Sequence, residues 1–161
     1  MPKKGGCRVH VPCPPDVPIE VIALDAKGNG SSTSEPDVIK KRLDEAMEEA
    51  HRVSGCRSTV VARHDGLVIA HRAGQGHDPR LASAMAAAIF GTAAFAAKEL
   101  GQGVAERIMI ECSDGKIVAM GAGREAIIVG LYRKNTNLGL LLHGLTAAAE
   151  AIGKALHDSH I

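Results

Sequence analysis

PRLASAMAAAIFGTAAFAAKELG, residues 79–101, is the stretch whose reading decides the fold. Asp78 suits an N-cap, Pro79 suits the first helical position, and Gly101 suits the end. No charge lies between Arg80 and Lys98, and a helix that is apolar all round is buried all round. One side carries bulk: Leu81, Met85, Ile89, Thr92, Ala96 and Leu100. Another is nearly bare: Ala84, Ala87, Gly91 and Ala94, ending at Lys98. The bulky side is expected to pack on the chain's own sheet. The bare side lets another backbone come close, and the same helix of a second copy is the expected neighbour. The plainer alternative is the central helix of a monomer. A membrane span is not expected. The uncharged run over residues 81–97 is shorter than the roughly 20 residues a bilayer requires, and Ser83 and Thr92 interrupt it.

Upstream, Pro36-Asp37 opens a helix predicted to run to about Val53. Ile39, Leu43, Ala46, Met47, Ala50 and Val53 recur at helical spacing, with acidic and basic residues between them. Ser54-Gly55 ends it. RSTVVARH and LVIAHR then flank Asp65-Gly66, a strong hairpin signal. A two-residue turn there would set His64 opposite Leu67 and Ala62 opposite Ile69.

Downstream of Gly101-Gln102-Gly103, VAERIMIEC and KIVAMGAG form a second hairpin around Ser113-Asp114-Gly115, and EAIIVGLYRK supplies a third strand. Residues 60–62 and 127–129 are continuous apolar runs, the pattern of a sheet covered on both faces. Asn137 can cap a closing helix whose stripe is Leu138, Leu141, Leu142, Leu145, Ala149, Ile152 and Leu156. The predicted order is α-β-β-α-β-β-β-α. Short strand-to-strand links make the five-stranded sheet antiparallel. The expected fold is α/β of the α+β kind, a three-layer sandwich with one central helix on one face and two flanking helices on the other.

A chain of 161 residues fits one domain with an extension. Residues 1–35 form a Pro/Gly-rich N-terminal extension, and residues 36–161 form the domain. Within the extension, PIEVIALDAKGNG is either one extra strand on a sheet edge or a tail with an apolar segment. A net charge of +1 argues against binding nucleic acid through its phosphates. Aromatic residues at 2% leave almost nothing for bases to stack on. The first fifteen residues lack the apolar core of a secretory signal, so the four Cys are expected as free thiols in a cytoplasmic setting.

Sequence motifs give little sign of chemistry. Gly121-Ala122-Gly123 and Gly101-Gln102-Gly103 are not phosphate loops, because neither leads from a strand into a helix with Gly-Lys-Ser/Thr. The eight His form no zinc-protease pair. His64 and His71 share a hairpin but have no evident orienting group. No catalytic residue and no cofactor are expected. Cys7, His10 and Cys13 have metal-like spacing, yet a structural zinc site needs a fourth ligand. Cys56 and Cys112 read as inert small hydrophobes beside core strands.

Over roughly residues 37–157 the chain resembles the Roadblock family of dynein light-chain and GTPase-regulator domains. The resemblance rests on SGCRSTVVARHDGLVIAHR, ASAMAAAIFGTAAFAAKELG, IMIECSDGKIVAMGAG and AIIVGLYRKNTNLGLLLHGLTAAAEAI, in that order. It implies a homodimer in which central helices pair through the Ala84, Ala87, Gly91 and Ala94 side. It also implies that the strand over residues 104–112, with Ile108 and Ile110, joins its mate. A platform for small Ras-like GTPases is implied, with no enzymatic activity of its own. On that platform Arg80, Ala84 and Lys98 are the expected partner-binding residues. The alternative is a metal-binding or sensor protein using Cys7, His10 and Cys13.

Overall fold

The computed structural model describes residues 35–158 apart from positions 73 and 75. In chain order the elements are α1 (Glu35–Ser54), β1 (Ser58–Arg63), β2 (Val68–Arg72), α2 (Pro79–Glu99), β3 (Arg107–Glu111), β4 (Gly115–Ala122), β5 (Ala126–Arg133) and α3 (Leu138–Asp158). The five strands form one sheet in the order β2-β1-β5-β4-β3. Every neighbouring pair is antiparallel. The predicted order and layering therefore hold.

Strand alternation divides the core in two. Val61, Val118 and Ile128 face α1 and α3, where they join Leu43, Met47, Leu141, Leu145 and Ile152 in the larger cluster. Ala62, Ala119, Ile127 and Val129 face the other way and meet Ala86 and Phe90 of α2. Asn137 caps α3 as expected, its Oδ1 accepting from the Leu140 N–H at 3.1 Å. At its far end α3 docks backbone to backbone. A Cβ on Gly153 would lie 2.8 Å from the Gly123 nitrogen, and Gly123 itself turns at φ +72°. Neither position has room for a side chain without a shift of the chain.

The first hairpin departs from the expected register. Ala62 pairs with Val68 and Val61 with Ala70, with an irregularity between them. The loop is longer than two residues: the Gly66 N–H donates to the Arg63 carbonyl at 3.0 Å, and the Arg63 N–H to the Leu67 carbonyl at 2.8 Å. Gly66 takes φ +88°, the left-handed position that closes a three-residue loop. Asp65 serves this turn through its side chain, with Oδ1 accepting from the Leu67 N–H at 3.1 Å.

The largest correction concerns α2. The residues it buries are Ser83, Ala86 and Phe90. Leu81 and Met85 point to solvent, 62% and 56% exposed, as do Ile89 and Leu100. The bulky side is therefore the outward side. Small residues face the sheet because the helix lies close to it. The Ser83 hydroxyl donates to the Gly66 carbonyl at 2.8 Å. A Cβ on Gly66 would come within 3.2 Å of the Ala84 Cα. Phe90 alone supplies the volume that fills the gap toward the sheet centre.

Candidate functional site

The outward side of α2 is an apolar strip with a charge at each end. Leu81, Met85, Ile89 and Phe95 are exposed along it, and Arg80 and Lys98 mark its limits. Thr92 adds little polarity, because its hydroxyl donates to the Ala88 carbonyl of its own helix at 2.8 Å. Asp78 fixes the start of the strip. Its Oδ1 accepts from the Arg80 N–H at 2.9 Å, and Pro79 occupies the first turn.

The four small residues expected to pair with a second copy do not share one environment. Ala84 and Gly91 are exposed, whereas Ala87 and Ala94 are half-buried, Ala87 against the smaller core cluster. A Cβ on Gly91 would meet nothing within 4 Å. On the sheet, β3 is a terminal strand, and its outer edge carries no strand among the described residues. Ile108 and Ile110 lie opposite Ala119 and Ile117 in the β3–β4 register, which turns both toward the α2 side. Both are half-buried. A short edge strand of this kind presents unpaired backbone groups to another chain. Of the two cysteines read as inert small hydrophobes, Cys56 is buried, whereas Cys112 is exposed at the end of this edge.

One polar cluster was missed by motif reading. His51, at the end of α1, bonds through Nε2 to the Thr59 hydroxyl at 2.9 Å. Thr59 Oγ1 lies 3.3 Å from Cys56 Sγ. Burial, aided by the nearby Arg72 charge, lowers the His51 pKa from 6.5 to about 4. Burial also pushes the Cys56 thiol up, and its Sγ–H donates to the Ser58 carbonyl at 3.0 Å. A neutral thiol sealed in the core is a poor nucleophile, so the cluster ties α1 to β1 and does not suggest covalent chemistry. A signal was present in the sequence: His51 follows Leu43 and Met47 at intervals of four, on the buried stripe. His64 and His71 are not brought together as a pair. His71 is buried opposite Val60, and His64 lies at the turn with its ring 6.1 Å from Phe90.

No group of three His, Cys, Asp or Glu residues suited to a metal occurs among the described residues. Cys7, His10 and Cys13 lie outside them. At 21 residues, α2 is the one described helix long and apolar enough to cross a membrane by length and composition. The short uncharged run is thus no bar. What opposes a span is the packing of Ser83, Ala86 and Phe90 against the sheet.

Comparisons with known proteins agree with this architecture. A family model described as Roadblock/LC7 domain matches residues 42–131. The protein MJ1340 of Methanocaldococcus jannaschii, described as uncharacterized, is 39% identical over 110 residues, covering 68% of this chain and 96% of that protein. Two solved structures share the fold. The gliding protein MglB from Thermus thermophilus has a TM-score of 0.68 at 20% identity, over 74% of this chain and 92% of that one. An MglB described as having a tetrameric arrangement has a TM-score of 0.69 at 21% identity, over 75% and 92%. With a family match spanning more than half its length and an archaeal relative covered almost end to end, this chain belongs to the Roadblock/LC7 family.

Proposed function

We propose that the chain is a cytoplasmic, dimeric regulatory scaffold that binds and modulates a small Ras-like GTPase, with no chemistry of its own. The observation that carries this reading is the exposed apolar strip of α2, bounded by Arg80 and Lys98. A monomer has no use for Leu81, Met85, Ile89 and Phe95 in water, and a contiguous patch of this kind marks an interaction surface. Self-association uses the Ala84 and Gly91 side of α2 together with β3, where Ile108 and Ile110 flank the free edge. Ala87 and Ala94 support it from beneath. Two copies related by a two-fold axis then present their α2 helices as one broad platform. A shallow apolar surface with charged margins suits a folded protein partner better than a small ligand.

Within this platform Arg80, Ala84 and Lys98 contact the GTPase. Arg80 and Lys98 steer the encounter, and Ala84 keeps the approach close. The test reverses both charges, Arg80→Glu with Lys98→Glu, and measures binding to Ras-like GTPases encoded in the same genome. The association rate should fall and lose its salt dependence while the chain stays dimeric. A dimeric double variant that associates like the parent at low salt would place the partner surface elsewhere.

A further inference from the structure

A hollow of about 430 Å³ lies at the end of the sheet opposite β3, where β2 begins. Leu67, Val68, Ile69 and Ser83 line it, together with Arg63 and Arg80. Ile69 packs against the core under α1 and α3, whereas Ser83 belongs to α2. The hollow therefore spans both layers, at the rim of the sheet and not on one face. Leu67 is 59% exposed there.

We propose that this rim accepts one further strand: an extended, acidic segment of a partner protein that pairs with β2. Three observations converge on that occupant. The first is the backbone. β2 is a terminal strand that pairs with β1, and its outer edge carries no strand among the described residues. Such an edge is a template for an added strand. The second is shape. Successive side chains of a strand point to opposite faces, so a segment along β2 sets one row beside Ser83 and the other beside Ile69. The third is charge. Two guanidinium groups line the hollow, and no carboxylate of the described residues does. Arg63 pairs with Asp65 at 3.2 Å, but both side chains stay about half exposed, and a guanidinium has donors enough for a second carboxylate. Acidic side chains on the added strand complete both arginines.

Arg80 is the one residue that this rim shares with the charged margins of the α2 strip, and the proposal does not depend on which protein covers that strip. Its test uses the full chain and a short blocked peptide of alternating glutamate and valine, followed by NMR of the backbone amides. Shifts and slowed hydrogen exchange should centre on residues 67–72. The same peptide with N-methylated valines cannot donate along a strand and should not bind, and neither should a lysine–valine peptide. Arg63→Gln should weaken binding about tenfold, the order of one charge-assisted contact, and Arg63→Lys should recover part of that loss. Lys98→Glu, at the far end of the α2 strip, should leave this binding unchanged. Equal binding of either control peptide, shifts confined to the α2 strip, Arg63→Gln binding like the parent, or no shift at millimolar peptide would each overturn it. So would protection of residues 67–72 that grows with protein concentration alone, which would give the edge to a second copy.

Discussion

The two faces of the sheet are finished to different degrees. On the α1 and α3 face, two helices share the cover, and Leu43, Met47, Leu141, Leu145 and Ile152 have no solvent exposure. On the other face a single helix lies across the sheet and buries Ser83, Ala86 and Phe90, while Leu81, Met85, Ile89 and Phe95 look outward. The first face is an interior that the chain completes by itself. The second has its apolar surface displaced one layer outward: α2 covers the sheet, and nothing among the described residues covers α2. Stability should therefore reside on the first face and association on the second.

That division can be broken most directly in the interior. Leu145→Ala leaves a hole where nothing on α3 can collapse, and it should cost about 2–5 kcal/mol in urea unfolding. A loss below 1 kcal/mol would mean that the α3 face is looser than its burial indicates. Next in size is acid. His51 is held neutral in the fold, with its pKa lowered to about 4, while the unfolded chain binds that proton near pH 6.5. The unfolded state therefore takes up more protons as pH falls from about 6.5 to about 4, and stability drops across that window. The loss is on the order of 3 kcal/mol at most. His51→Gln should flatten this part of the pH profile, and an unchanged acid slope in that variant would refute the assignment.

The association face should answer differently. Gly91→Glu places a side chain where the single copy has open space, so folding should change by less than about 1 kcal/mol, in the direction of higher helix propensity. Self-association should weaken sharply, since a charge is carried into the contact. Sedimentation at micromolar concentration separates the two effects, and a variant that stays fully dimeric would move the interface off this side of α2. The smallest effect on folding should come from Met85→Ala, within about 0.5 kcal/mol for the chain alone, with the loss appearing only in partner binding. A folding cost of 2 kcal/mol would show that Met85 is covered in the free protein.

The same contrast explains what could be read from residue order. The α1 stripe was legible because charged residues on its far side define the period, and the α3 stripe because its Leu and Ile residues recur at helical spacing against smaller ones. In α2 both sides are apolar, so periodicity carries no sign, and bulk was the wrong guide. The side that approaches the sheet lies between the two stripes, where Ser83, Ala86 and Phe90 are buried, and Phe90 is its anchor. The hairpins were legible as hairpins from Asp65-Gly66 and Ser113-Asp114-Gly115. The register of the first was not, because a three-residue loop and a two-residue turn share the same Asp-Gly signal. The exposure of Cys112 follows from β3 ending the sheet, a fact of strand order that no local pattern encodes.

The strand order has a further consequence in time. β1 pairs with its successor β2, but its other neighbour is β5, with Ser58 opposite Leu131. The two hairpins can close locally within microseconds, whereas the seam that joins them must gather distant chain. During synthesis β1 waits for β5 to leave the ribosome, and α1 waits longer still for α3. A nascent chain halted after β4 holds two hairpins and an alanine-rich helix with no seam between them, and it is at that length that a chaperone would find the most to bind.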